Sequence, residues 1–204
     1  MIIAGLTGSI GMGKSTTATT LRRLGCPVHE ADKAVYQMMK KGGEAVPLIK
    51  KAFSGAVPEV VKNDQVDRRA LGNCVFNNFA FLDQLESLIH PLVHDSEATF
   101  LLCMAMRRER LVFLDVPLLF ETGAEDHLHT TVLVTAPSFI QERRALRRPG
   151  MTRDRLATIL SRQMPDREKR GRADFIVQTG LGRGCTLRQL HRVVRLIRRE
   201  YGSL

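Results

Sequence analysis

Gly8-Ser9-Ile10-Gly11-Met12-Gly13-Lys14-Ser15 lies between a short apolar run, MIIAGLT, and a run of helical character, TTATTLRRLG. The octet fits G-x-x-x-x-G-K-[ST], and it follows a strand and opens a helix, which is the context that gives this spacing its meaning. Glycines let successive backbone N–H groups turn toward one point, and the helix start adds its positive end. Phosphate oxygens are the natural occupant. Lys14 then reaches the outer phosphates as a point charge. The Ser15 hydroxyl suits magnesium, which otherwise takes water and phosphate oxygens. A glycine-rich structural turn would have no use for Lys-Ser at the helix start. The stretch therefore predicts a nucleoside triphosphate site built from Gly8, Gly11, Met12, Gly13, Lys14, Ser15 and Thr16.

Around this loop the chain has 204 residues, enough for one α/β core with an inserted subdomain. No window approaches the roughly 18–20 uninterrupted apolar residues of a membrane helix. Glycines and Lys14 break up the N-terminal run, so it does not read as a secretory signal, and a cytoplasmic protein is expected. Cys26, Cys74, Cys103 and Cys185 are widely spaced and form no CxxC pair, which argues against a disulfide framework or zinc site. They read as reduced, mostly buried thiols. The net charge is +10, but residues 143–199 hold 17 Lys and Arg against 4 Asp and Glu, so the rest of the chain is slightly acidic. Such a basic third could meet polyphosphate or RNA. Only Phe175 and Tyr201 offer aromatic stacking in that part of the chain, which disfavours a specific nucleic-acid partner.

Strands are expected at IIAGLT, CPVHEAD, RLVFLDVPLL, HTTVLVTA and DFIVQT, with helices between them. This alternation predicts a parallel sheet flanked by helices, the P-loop NTPase arrangement. Residues 1–32 and 111–204 form its core, with a lid over about 138–170. Residues 33–110 show no clear strand and read as a helical insertion. Within it FSGAVPEVVKND is a loop, and AFLDQLESLIHPLVHDSEATFLLCMAMRRER is two helices or one bent helix, interrupted near Pro91. The last helix should pack Leu187, Leu190, Val194 and Ile197 on one side.

Several side chains could carry chemistry. Asp32, just past the second strand, is placed either to orient an acceptor hydroxyl and take its proton or to cap the helix that follows. Glu30 reads as structural or as a partner of magnesium-bound water. Asp115 ends the strand LVFLD, where a carboxylate organises magnesium in many P-loop proteins or simply closes the strand. Arg143, Arg144, Arg147 and Arg148 make two i,i+4 pairs if SFIQERRALRR is helical, either a phosphate-gripping lid or a solvated basic face. Arg68 and His90 are candidate substrate contacts, or a helix start and a helix-end histidine.

Taken in order, GLTGSIGMGKST, EAD, DRRALGNCVF, HPLV, DVPLLFE, QERRALRR and QMPDREKRGRADF resemble the successive motifs of the dephospho-coenzyme A kinase family. The resemblance runs over essentially the whole chain. It implies a P-loop core, a helical coenzyme A-binding insertion and a lid, and transfer of the ATP γ-phosphate to the 3′-hydroxyl of dephospho-coenzyme A with Mg2+. Asp32 falls on the family's catalytic aspartate, Lys14 on its P-loop lysine and Arg144 on a lid arginine, with Arg148 near ATP. Arg68, His90, Pro117, Leu118 and Glu121 fall on stretches that shape the acceptor pocket. The family does not hold Asp115 fixed. Gln178 and Thr179 stand where relatives usually carry Asp-Asn, so an amide that would contact adenine is missing. Base selection is then looser or falls to backbone groups. Competing readings are a P-loop kinase for a nucleoside monophosphate or a shikimate-like metabolite, and an RNA-binding P-loop NTPase.

Overall fold

Residues 1–76 and 78–202 are described by a computed structural model. They divide into two compact units, Met1–His29 with Met104–Leu204, and Glu30–Cys103.

The first unit is organised by a five-stranded sheet in the order β2-β5-β1-β6-β7. Its strands are β1 (Ile2–Thr7), β2 (Val28–Glu30), β5 (Leu111–Asp115), β6 (Thr130–Thr135) and β7 (Phe175–Gln178). β1 pairs in parallel with β5 and β6, and β6 with β7. The central strands are buried along their length, which explains why they read as continuous apolar runs rather than alternating ones. One face is covered by α1 (Lys14–Arg23) and α9 (Arg183–Glu200). Ala18 and Leu21 of α1 join Leu190, Val193, Val194 and Ile197 of α9 against Ala4, Leu6, Phe113, Val132 and Val177.

The apolar stripe of α9 differs from the expected one at its start. Leu187 is 40% exposed, while Val193 is buried. One position before Leu187, the hydroxyl of buried Thr186 lies within hydrogen-bond reach of the Gly182 carbonyl at 3.0 Å and of the Gln178 carbonyl, at the end of β7, at 3.3 Å. This unit also contains α6 (Ser138–Leu146), α7 (Arg153–Ser161), α8 (Asp166–Arg172) and a short 3-10 helix, Ala124–His127. The cysteines are free, and only Cys26 of the four is buried. Burial pushes the Cys26 thiol pKa up, with Arg198 pulling the other way.

The second unit contains α2 (Ala31–Met38), α3 (Ala45–Phe53), α4 (Arg68–Phe76) and the start and middle of α5 (Phe79–Met106). Its core is Met39, Ala45, Val46, Ile49, Phe53, Val60, Val66, Leu71 and Ile89. The unit is not purely helical: β3 (Val61–Lys62) and β4 (Gln65–Val66) form an antiparallel ribbon where a loop was expected. Asn63 and Asp64 turn it with φ of 51° and 60°, a conformation these two residue types tolerate better than most. α5 runs through Pro91 as one helix. Leu85, Leu88, Leu92 and Val93, on either side of the proline, pack on the core with Ile89, and this tertiary packing offsets the roughly 3 kcal/mol cost of an interior proline. Among the described residues no helix is long and apolar enough to cross a membrane.

Candidate active site

The loop between β1 and α1 lies at the C-terminal edge of the sheet, where α/β proteins hold ligands. Its backbone needs the glycines it carries: Gly11 and Gly13 have φ of 78° and 97°. A Cβ on Gly13 would also stand 3.1 Å from Thr179 Oγ1 and 3.4 Å from Arg144 Nη1. Side chains drawn from across the unit hold the loop. Ile10 donates its N–H to Gln163 Oε1 at 3.1 Å and accepts from Gln141 Nε2 at 2.9 Å. Met12 is buried and its Sδ takes the Ala136 N–H at 3.1 Å. The Thr179 hydroxyl donates to the Met12 carbonyl at 2.6 Å.

Lys14 opens α1 and places Nζ 2.5 Å from Oδ1 of Asp115, the buried last residue of β5. Asp115, undecided on sequence, is thus the carboxylate that fixes the lysine. Ser15 and Thr16 are exposed in the first turn of the helix. Arg144 donates from Nη1 to Thr179 Oγ1 at 2.9 Å and from Nη2 to the Thr179 carbonyl at 3.0 Å. α6 stops at Leu146, so Arg147 is its C-terminal cap and Arg148 lies beyond it, and the second i,i+4 arginine pair does not form within a helix. Arg143, Arg147 and Arg148 are exposed.

The segment 117–121 and residues 163–174 are interlocked. Pro117 accepts from Thr7 Oγ1 at 3.4 Å, and Leu118 is 40% exposed. Glu121, expected on the acceptor side, has internal partners. Its Oε1 accepts the Met164 N–H at 2.8 Å and lies 2.8 Å from Nζ of Lys169, which is fully buried. The Lys169 contact is an ion pair without directed hydrogen-bond geometry. Asp166 Oδ2 accepts from Thr135 Oγ1 at 2.9 Å and from Arg170 Nε at 2.7 Å. Arg172 pairs with Glu125 and donates to the Phe120 carbonyl at 3.2 Å. Part of the basic surplus of the last third is therefore spent on internal anchors.

The remaining candidates belong to the second unit. Asp32 is exposed and sits inside the first turn of α2, whose N-cap position is Glu30, so the capping alternative for Asp32 does not apply. Arg68 starts α4 with its guanidinium 4.7 Å from the centre of the Tyr36 ring, a cation–π contact that Lys40 also makes at 4.7 Å. His90 is exposed on α5. The structure thus brings Met12, Gly13, Lys14 and Arg144 together with three residues to which sequence reasoning gave no part in the loop: Gln141, Gln163 and Thr179. Gln141 and Gln163 begin two of the recurring motifs, QERRALRR and QMPDREK, and that was the available signal.

The family model for dephospho-CoA kinase matches residues 2–181. A dephospho-CoA kinase of Paramagnetospirillum magneticum is 52% identical over 170 residues, 83% of this chain and 78% of that one. Another, of Mesorhizobium japonicum, is 45% identical over 203 residues, 100% of both chains. A solved structure from Thermus thermophilus superposes with a TM-score of 0.75 at 36% identity, covering 96% of each chain. With the phosphate cradle in place and the match running almost end to end, the chain belongs to the dephospho-CoA kinase family.

Proposed function

We propose that Lys14, Arg144 and Asp32 carry out the family's reaction in this chain, transfer of the ATP γ-phosphate to the 3′-hydroxyl of dephospho-CoA. The observation that carries this reading is the cradle itself, with Lys14 held by Asp115 and Arg144 held beside Gly13. Glycine-loop amides and Lys14 bind the triphosphate. Arg144 lies over the γ-phosphate and stabilises its spreading charge, with Arg148 as a further ATP contact. Asp32 orients the 3′-hydroxyl in line with that phosphorus. As the new O–P bond forms and the bond to the β,γ-bridging oxygen breaks, the hydroxyl proton passes to the Asp32 carboxylate and ADP leaves. Arg68, His90, Pro117 and Leu118 belong to the acceptor side. Glu121 serves that side only indirectly, through the segment it anchors.

The donors present suit Mg2+. Ser15 offers an exposed hydroxyl at the start of α1, beside the phosphate cradle, and Mg2+ characteristically combines few protein ligands with phosphate oxygens and water. When bound, it would neutralise charge on the β- and γ-oxygens. We place the reaction in the cytoplasm, where its ATP is supplied.

The test is ADP release with ATP, Mg2+ and dephospho-CoA, beside controls with AMP, shikimate, RNA and no acceptor. Turnover with dephospho-CoA alone, yielding coenzyme A by mass, is the expected result. Stimulation by RNA or shikimate instead would overturn it.

A further inference from the structure

We infer that Thr179 is a positioning residue for phosphoryl transfer, setting both a loop amide and the Arg144 guanidinium through one hydroxyl. The inference rests on the role of Arg144 proposed above. Thr179 follows β7 directly, is buried, and is anchored by its own N–H to the Thr135 carbonyl at 2.9 Å. Its hydroxyl has a single proton to give. Of the two carbonyls within reach, that of Met12 is the nearer, at 2.6 Å against 3.3 Å for Thr135. The Met12 carbonyl and the Gly13 N–H belong to one planar peptide and point in opposite directions. Holding the carbonyl on Thr179 therefore fixes the direction of the Gly13 N–H, away from Thr179.

The same oxygen accepts from Arg144 Nη1 at 2.9 Å, while the Thr179 carbonyl accepts from Nη2 at 3.0 Å. Two parallel bonds fix the plane of the guanidinium as well as its position, a constraint that a lysine ammonium could not meet. With its proton given to Met12 and its oxygen engaged by Arg144, the Thr179 side chain is committed to the phosphate end of the site. It does not read the nucleobase. A change at Thr179 thus bears on the geometry of transfer.

The experiment compares Thr179→Val, Thr179→Ser, Arg144→Gln and the double variant Thr179→Val/Arg144→Gln in the full chain. Initial rates with ATP and dephospho-CoA are measured alongside thermal melts. Val keeps the shape and removes the hydroxyl; Ser keeps the hydroxyl. Thr179→Val is expected to lower kcat by roughly 10–100-fold, the scale of a displacement near 1 Å in a reacting site. Thr179→Ser should recover to within about threefold of the parent if the hydroxyl is what matters. Arg144→Gln should lose roughly 10²–10³-fold. Adding Thr179→Val to Arg144→Gln should then cost less than it does alone, because the two act as a unit. Full activity in Thr179→Val, losses that simply multiply in the double variant, or equal losses in the Ser and Val variants would each overturn the proposal while leaving the Arg144 reading intact. Undiminished turnover in Arg144→Gln would overturn both.

Discussion

In the core unit, candidate side chains are held by other polar groups: Lys14 by Asp115, Arg144 by Thr179, and the Ile10 peptide by Gln141 and Gln163. In the helical unit, Asp32, Arg68 and His90 stand exposed on a frame ordered by apolar packing around Ile49 and Phe53. Under the proposed mechanism the difference follows from what each side must do. Stabilising a multiply charged phosphate depends on dipoles and charges fixed in advance, since reorienting them during the reaction forfeits the gain. Positioning a hydroxyl asks for a carboxylate in the right place, and an exposed one on a rigid helix serves. Fixed charges should therefore couple activity to stability in the core unit, and the helical unit should keep the two apart.

The largest expected effect tests that separation. Asp32→Asn should lower kcat by roughly 10²–10⁴-fold, the usual range for loss of a general base. The melting temperature should not move, because the side chain is exposed in the first turn of α2. Near-parental turnover would remove Asp32 from the mechanism. Lys14→Ala should cost roughly 10²–10³-fold in kcat, as does loss of one transition-state donor elsewhere. Here the melting temperature should shift too, because the variant also dismantles the contact with buried Asp115. A Lys14→Ala protein with a parental melt would mean that the core unit does not tie activity to stability.

Lys169→Met sharpens the comparison without touching the phosphate cradle directly. Lys169 is fully buried, so its loss leaves Glu121 without its cation in the interior, worth about 3–5 kcal/mol by analogy with broken buried pairs. The double variant Glu121→Gln/Lys169→Met should recover much of that, since Gln can still accept the Met164 N–H. Equilibrium denaturation of the two variants decides it. A double variant no better than the single one would show that the ion pair itself supplies net stability.

How much of this was legible beforehand differs between the two kinds of order. The loop at 8–15 could be read because its chemistry is written in local spacing. The strands of the sheet announced themselves as apolar runs, and the existence of α9, though not its start, followed from its amphipathic pattern. The ribbon at 61–66 was missed because its strands are two residues each and its turn is Asn-Asp rather than a glycine pair. The polar ties were missed for a different reason. Ile10 and Gln163 are 153 residues apart, and Thr179 and Met12 are 167 apart. No local pattern shows that a glutamine after α7 will meet a peptide after β1. The anchoring of Glu121 on Met164 and Lys169 was invisible on the same account, because a carboxylate near a site and a carboxylate bracing it look alike in one dimension.

The smallest effect concerns the helical unit alone. Asp67 precedes α4, and its Oδ1 accepts the N–H groups of Ala70 and Arg69 at 3.1 and 3.0 Å, an N-cap on the helix that begins at Arg68. The Ala70 N–H, then that of Arg69, holds the Asp67 carboxyl below its ordinary value, with Lys62 adding to the effect and partial desolvation opposing it. Because the folded value is the lower one, the stabilisation is fully present above the unfolded carboxylate pKa of about 3.9. It is lost as pH falls through the folded value. Asp67→Ala should therefore lower the melting temperature by roughly 2–4 °C at neutral pH, in line with loss of one cap in a chain of this size. The gap between the two proteins should narrow as the pH is taken below about 4, where the parent's carboxyl also loses its charge. kcat for phosphoryl transfer at neutral pH should be unchanged. A gap that stays constant down to pH 3 would show that the cap acts through geometry alone. A fall in kcat would show that the order of α4 reaches the reacting groups, and the separation of stability from activity in the helical unit would then fail at Arg68.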